Sequence, residues 1–282
     1  MKIIITGATG FIGNRLVSKI DKKNKIIAFV MKSSKIDNLK KLGAEIRYGN
    51  LLNKDSVFKA IKNADAVIHL ATSHLVGNEK GNIIGTKNLI EACKKNKIRK
   101  IIFISSMATK RKSMDDYGKG KLEIEKMIKS SGLKYVILRP SIIYSEDNLS
   151  LIGKNLKLPF VIPIIGSGRY KLNPVYIEDV AEAILRATEN KKSEGKEYDV
   201  AGAENISYNE IIKICKERFK IKKLVFHIPL FMAALLFRFI PMASVKSIKG
   251  IEENTNADIS GLRKDLNIIP TNFREEIKNV VI

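Results

Sequence analysis

The first 145 residues alternate short Ile-, Val- and Phe-rich runs with amphipathic stretches of helical length. The runs 2–6, 26–30, 45–48, 66–70, 100–105 and 135–138 predict six strands, and the stretches 11–20, 34–42, 55–61, 81–95 and 116–130 predict the helices between them. Strands that read as unbroken apolar runs, rather than as an alternation, are buried on both faces, and strands separated by helices pair in parallel. The fold class that follows is α/β, with a doubly wound parallel sheet that binds ligands at the carboxyl ends of its strands.

Beyond residue 145 the pattern loosens. Gly153, Pro159, Pro163, Gly166 and Gly168 mark an irregular stretch. A helix is predicted over 177–189, a strand over 197–200, and a helix running to 219 that Ser207 caps, with Glu210 completing a capping box. The tail, 258–282, reads as helical. This divides the chain into residues 1–145, a nucleotide-binding domain, and residues 146–282, a smaller substrate-side lobe interleaved with the last elements of the sheet. The longest uncharged apolar run, 224–237, contains Pro229 and is ended by Arg238. It is shorter than the about 20 residues a membrane span needs. The preferred expectation buries it as a helix pair inside the second lobe; peripheral contact of 224–245 with an anionic membrane is the less favoured alternative.

Charge narrows the partners. The net charge is +22, carried by 40 Lys against 11 Arg scattered along the chain. Base readout leans on the planar fork of arginine, so a lysine-coated, solvated surface with no specific nucleic-acid partner is expected. Cys93 and Cys215 lie far apart in predicted helices, which suits buried free thiols and a reducing compartment. His69, His74 and His227 show no metal-ligand spacing, so no metal is expected. The opening run Ile3–Ile5 passes directly into a glycine turn and reads as a strand of the fold rather than a secretion signal; a cytoplasmic location is the expectation.

Four groups of residues carry candidate chemistry. Thr6-Gly7-Ala8-Thr9-Gly10-Phe11-Ile12-Gly13 joins a predicted strand to a predicted helix, the context a dinucleotide fingerprint requires. Gly7 serves the tight turn, Gly10 close approach of a pyrophosphate and Gly13 helix-on-strand packing, while free amides near Phe11 and Ile12 favour an anion. The second strand ends Val30-Met31-Lys32-Ser33-Ser34 with no acid before Asp37. An acid there would bind a ribose 2′-hydroxyl, whereas Lys32 and the serines suit a 2′-phosphate, so NADP is preferred over NAD. Tyr117 and Lys121 stand four apart on one helical face. A tyrosine needs its pKa lowered by up to about three units, roughly 4 kcal/mol, to act near neutrality, and the adjacent ammonium is expected to supply part of that. Ser105 and Ser106 close the fifth strand, where a hydroxyl can meet a substrate oxygen.

In this order, glycine turn, strand-end serine and Tyr-x-x-x-Lys, the chain resembles the short-chain dehydrogenase/reductase superfamily in its extended or atypical branches, with their Rossmann-type fold. Ala66-Val67-Ile68-His69-Leu70-Ala71, Leu138-Arg139-Pro140-Ser141 and Pro174-Val175-Tyr176-Ile177-Glu178-Asp179-Val180-Ala181 extend the resemblance over nearly the whole chain. The resemblance implies an NAD(P)-dependent oxidoreductase, or alternatively a nucleotide-sugar epimerase or dehydratase or a non-catalytic dinucleotide-binding module. It implies Tyr117 as acid/base, Lys121 as its partner and as a ribose ligand, Ser106 ahead of Ser105 for the reacting oxygen, and Asn82 at the proton-relay position. Gly7, Thr9, Gly10, Phe11, Ile12 and Gly13 would hold the pyrophosphate. Asn50 and Leu51 would flank the adenine; Leu70, Ala71, Thr72 and Pro140 would line the nicotinamide side. In many relatives the helices predicted over 81–95 and 116–130 form a dimer face, so a homodimer is compatible. The chain departs from the pattern in having Asn50 for an aspartate, only ten residues between Ser106 and Tyr117, Ile142-Ile143-Tyr144-Ser145-Glu146 without Gly-Pro, and Lys171-Leu172-Asn173-Pro174 in place of Arg-Asp. In these features it is similar to the group containing the nucleotide-binding accessory subunit of respiratory complex I.

Overall fold

Along the first strand, Ile3 and Ile5 enter one hydrophobic core and Ile4 the other, and all three are fully buried. Both faces are therefore covered, as unbroken apolar strands require. The computed structural model describes residues 1–21, 23–73, 78–237 and 250–281. Its first half runs β1 (Lys2–Thr6), α1 (Phe11–Lys19), β2 (Lys25–Val30), α2 (Asp37–Lys41), β3 (Glu45–Tyr48), α3 (Lys54–Ala60), β4 (Ala66–His69), α4 (Glu79–Lys95), β5 (Lys100–Ile104), α5 (Asp116–Lys129) and β6 (Lys134–Pro140). The second half runs β7 (Ile143–Tyr144), α6 (Ser150–Lys157), β8 (Val161–Ile165), β9 (Lys171–Leu172), β10 (Val175–Tyr176), α7 (Ile177–Glu189), β11 (Lys196–Val200), β12 (Ile206–Ser207), α8 (Tyr208–Arg218), β13 (Leu224–Ile228), α9 (Leu230–Phe237), α10 (Ser260–Leu266) and α11 (Phe273–Glu276).

Seven strands form one parallel sheet in the order β3-β2-β1-β4-β5-β6-β11. α1 packs on α7 across one face, and α4 packs between α3 and α5 across the other. The strand order reverses between β1 and β4, and a crevice opens beyond their carboxyl ends. All six strands expected in the first 145 residues are present, with ends shifted by a residue or two. The helix expected over 34–42 is shorter, because residues 32–36 form a turn and loop instead. The seventh strand, β11, comes from beyond residue 146 and pairs with β6.

A third core, built around Tyr144, Ile162, Ile164, Tyr170, Tyr208 and Phe273, joins α6, β8, α8 and α11, while α10 packs on the first core through Leu262 and Leu266. Here the sequence reading needs correction. The stretch expected to be irregular contains α6 and β8. The expected helical tail is broken into α10, α11 and a 3₁₀ turn at Ile277–Asn279, interrupted by Asn267 in the left-handed conformation. The apolar run 224–237 is not a buried helix pair: it is β13, paired in parallel with β8, followed by α9, and among its described side chains Leu224, Phe226, Leu230, Phe231, Met232 and Leu235 are exposed. The part of that expectation falling on 238–245 lies outside the described residues.

Candidate active site

The glycine turn is shaped by contacts that only glycine permits. Gly7 has φ +72°, and a Cβ there would stand 2.7 Å from the Ala71 amide nitrogen at the end of β4. A Cβ on Gly13 would stand 2.3 Å from the Gly7 carbonyl oxygen. The first turn of α1 thus lies directly on the loop it leaves, with Gly10 at its N-cap and no side chain capping it. The unpartnered amides at this helix start face a cavity of about 980 Å³. A tight glycine turn whose backbone amides lie at the positive end of a helix, beside a cavity of this size, fits a dinucleotide diphosphate.

The same cavity is lined by Thr9, Phe11 and Ile12, by Asn50 and Leu51 after β3, by Leu70, Ala71 and Thr72 after β4, and by Pro140 after β6. Asn82, Ser106, Tyr117 and Lys121 complete its far end. Of the residues the sequence singled out, Lys32 and Ser33 are the exceptions: both are exposed and neither lines the cavity, whose wall beside β2 is made by Val30, Met31 and Ser34.

Local structure aims the tyrosine and the lysine. The Asp115 carboxylate caps α5 by accepting from the Gly118 amide at 2.8 Å, which puts Tyr117 in the first turn. Gly118 lets that turn approach the Ala108 carbonyl of the preceding 3₁₀ turn, Met107–Lys110. One turn on, Lys121 is buried; its Nζ donates to Thr72 Oγ1 at 2.8 Å and to the Ile104 carbonyl at 2.7 Å, and lies 4.7 Å from the centre of the Phe103 ring. The Ser106 hydroxyl is hydrogen-bonded to Tyr117.

A model of NAD(P)H-binding proteins matches residues 7–191. The chain belongs to this NAD(P)H-binding family. Among curated relatives, an uncharacterized UDP-glucose epimerase of Bacillus subtilis is 26% identical, the match covering 100% of this chain and 97% of the relative. A UDP-glucose 4-epimerase of Vibrio cholerae is 25% identical, with 75% of this chain and 74% of the relative covered. A photosystem II assembly factor of Cyanophora paradoxa is 26% identical over 77% of this chain and 68% of its own. Among solved structures, UDP-glucose 4-epimerase of Thermotoga maritima, with UDP-glucose, superposes with a TM-score of 0.80 at 22% identity, covering 99% of this chain and 97% of that one.

Within this NAD(P)H-binding chain, burial decides the electrostatics. It pushes the Tyr117 hydroxyl up to about 12, against the Ser106 hydrogen bond, which works the other way; Asp115 adds to the rise. Burial also pulls the Lys121 ammonium down to about 7, opposed by Glu125. The part of the lowering expected from the Lys121 ammonium does not appear in the chain by itself: the cost of desolvating a phenolate outweighs the Ser106 hydrogen bond. Positive charge bound beside Tyr117 would favour its phenolate.

The residues that hold this site were largely missed from sequence. Glu125, a further turn along α5 and fully buried, accepts from Ser105 Oγ at 2.5 Å and from Arg139 through Nε at 2.8 Å and Nη2 at 2.6 Å. Ser105 is thus committed to the support, leaving Ser106 beside Tyr117. Repetition at 117, 121 and 125 was the available signal for Glu125. His69 links β1 to α4: its Nδ1 meets Thr6 Oγ1 at 2.7 Å and its Nε2 meets Thr86 Oγ1 at 2.9 Å. Because Thr86 donates to the Asn82 carbonyl and Thr6 accepts from the Ala71 amide, the consistent assignment is a neutral ring protonated on Nε2. Burial keeps it neutral by pulling its pKa to about 3. Asn82, expected as a proton relay, uses both amide atoms on the Ser73 backbone and so holds Ser73 against the first turn of α4.

Lys121 leads to a pH prediction. Its pKa is about 10.5 when unfolded and about 7 in the folded chain. Below pH 7 both states carry the proton and stability is flat; between these values the unfolded state alone holds it, so stability rises with pH. The unfolding free energy of the wild type relative to Lys121→Met is expected to climb by a few kcal/mol across that window. Urea titrations at stepped pH would measure it, and a difference independent of pH would show that the lysine does not titrate there.

Proposed function

We propose that this chain is an NAD(P)-dependent enzyme of the epimerase/dehydratase type whose substrate is a small hydroxyl-bearing molecule of the nucleotide-sugar class. The observation that carries this reading is the convergence of Tyr117, Lys121 and Ser106 on the cavity whose other end is the glycine cradle. The relatives named as UDP-glucose epimerases support the substrate class.

The amides at the start of α1 would hold the diphosphate, Asn50 and Leu51 would flank the adenine, and Lys121, with Thr72, would hold the nicotinamide ribose. Bound in this way, an oxidised nicotinamide would supply a hydride acceptor and positive charge in addition to that of Lys121. Tyr117 Oη then takes the proton of the substrate hydroxyl as its C–H bond breaks, and gives it back when the carbonyl is reduced. Ser106 donates to the reacting oxygen, and Lys121 offsets the phenolate charge. A net NADPH-dependent reductase is the second reading, favoured by the absence of an acid at the end of β2, where Ser34 forms the wall.

One experiment separates the readings. The purified protein is titrated with NADH and NADPH by fluorescence, then incubated with UDP- and dTDP-hexoses, with products followed by NMR. Conversion of a hexose without added reductant supports the proposal. Consumption of NADPH in step with product favours the reductase, and failure of both dinucleotides to bind removes both.

A further inference from the structure

The outward face of the β8–β13 sheet and the helix that follows it is apolar and open to water. The register pairs Leu224 with Val161 and Phe226 with Pro163, while the alternate residues Val225, Ile162 and Ile164 turn inward to the third core. Leu224 is 76% exposed, Phe226 54%, and Phe160, in the turn entering β8, 84%. α9 continues the surface: its sequence, LFMAALLF, has no polar side chain, yet Phe231 is 74% and Leu235 57% exposed. Single exposed hydrophobics are ordinary on any protein, but a run of them on adjoining elements marks an interaction surface. A helix apolar on every side is normally enclosed.

Charge identifies the occupant. Residues 150–165 and 219–237, which carry this face, contain Lys154, Lys157, Lys220, Lys222 and Lys223 and no carboxylate. Lys223 reaches across to the carbonyls of Leu156 and Leu158, at 2.9 and 2.8 Å, tying the turn that bears Phe160 to the start of β13. The other four lysines are exposed. A two-fold contact between copies of the chain would set lysine fringe against lysine fringe, which repels. An anionic bilayer meets both demands: aromatic and aliphatic side chains enter the boundary between headgroups and acyl chains, while lysines extend to the phosphates. Among the described residues no helix is long and apolar enough to cross a membrane, so the contact is with one leaflet.

We propose that the β8–β13 face and α9 dock this protein peripherally on membranes containing anionic lipid. The chain has no tryptophan, so Phe231→Trp places a sole indole reporter on α9. With vesicles of phosphatidylcholine and phosphatidylglycerol, its emission is expected to shift to the blue and the protein to co-sediment. Pure phosphatidylcholine, or about 0.5 M salt, should weaken binding roughly tenfold or more. The triple change Phe160→Ser, Phe231→Ser and Leu235→Ser should do the same on anionic vesicles. These positions are exposed, so the thermal midpoint should stay near that of the wild type, which separates lost docking from lost folding. Three results would overturn the proposal: no binding of the wild type to anionic vesicles, binding undiminished by the triple serine change, or a dimer in sedimentation that the serine change dissociates while vesicles capture neither form.

Discussion

Tyr117→Phe is expected to lower turnover by roughly 10²–10⁴-fold while leaving dinucleotide affinity nearly unchanged. The Tyr117 side chain is placed by a helix start, its hydroxyl is hydrogen-bonded to Ser106, and its ring centre lies 5.9 Å from the buried Lys121 Nζ. Removing the hydroxyl deletes the proton acceptor but keeps the ring that fills the wall. Ser106→Ala should cost far less, on the order of tenfold, because it removes one hydrogen bond to the reacting oxygen. Single-turnover measurements on both variants, with dinucleotide binding measured in parallel, provide the check. Tyr117→Phe turning over at the wild-type rate would take Tyr117 out of the chemistry and would leave a binding module as the better account of the chain.

Glu125→Ala should destabilise the fold by about 3–5 kcal/mol, the usual consequence of leaving one member of a buried ion pair without the other. The side chains of Glu125 and Arg139 are 0% and 10% exposed. Without the carboxylate, the Arg139 guanidinium retains only Glu197, at the sheet's edge, among the described residues, and Ser105 loses its acceptor. Thermal unfolding should show a fall on the order of 10 °C for a chain of this length. Replacing both partners by apolar residues of similar volume should cost much less, since no charge is then stranded. A loss below about 1 kcal/mol in Glu125→Ala would mean that water or another cation compensates, and that the network does not hold α5 against β5 and β6. The effect on turnover should follow the displacement of Lys121, one helical turn before Glu125, rather than any direct contact with substrate.

These two residues differ in how they could be found. Tyr117 and Lys121 lie on one helix, and helical geometry alone makes residues four apart neighbours, so their pairing was legible. Glu125 follows the same spacing, but its meaning depends on Arg139, which arrives from another element of the sheet. Ser105 and Ser106 were separated in the sequence by the resemblance alone; in the fold Ser105 is turned to Glu125 and Ser106 to Tyr117. The direction of the Tyr117 and Lys121 shifts was likewise beyond the sequence, because it is set by how completely the folded chain withdraws both groups from water. Lys32 was chosen for its charge, but the wall beside β2 is built by its neighbours.

By itself, the sequence determined the parallel sheet of the first half and the glycine cradle at its switch point. Both rest on local rules: strands buried on two faces must be continuously apolar, and a turn pressed against its own helix admits no Cβ. Only the tertiary structure decided the second lobe, where β8 and β13 pair across about sixty residues, and only it decided that the apolar run after Lys223 faces outward. The pairing of such short strands is chosen by the surfaces around them, and whether an apolar side chain is covered depends on what the rest of the chain leaves room to place over it.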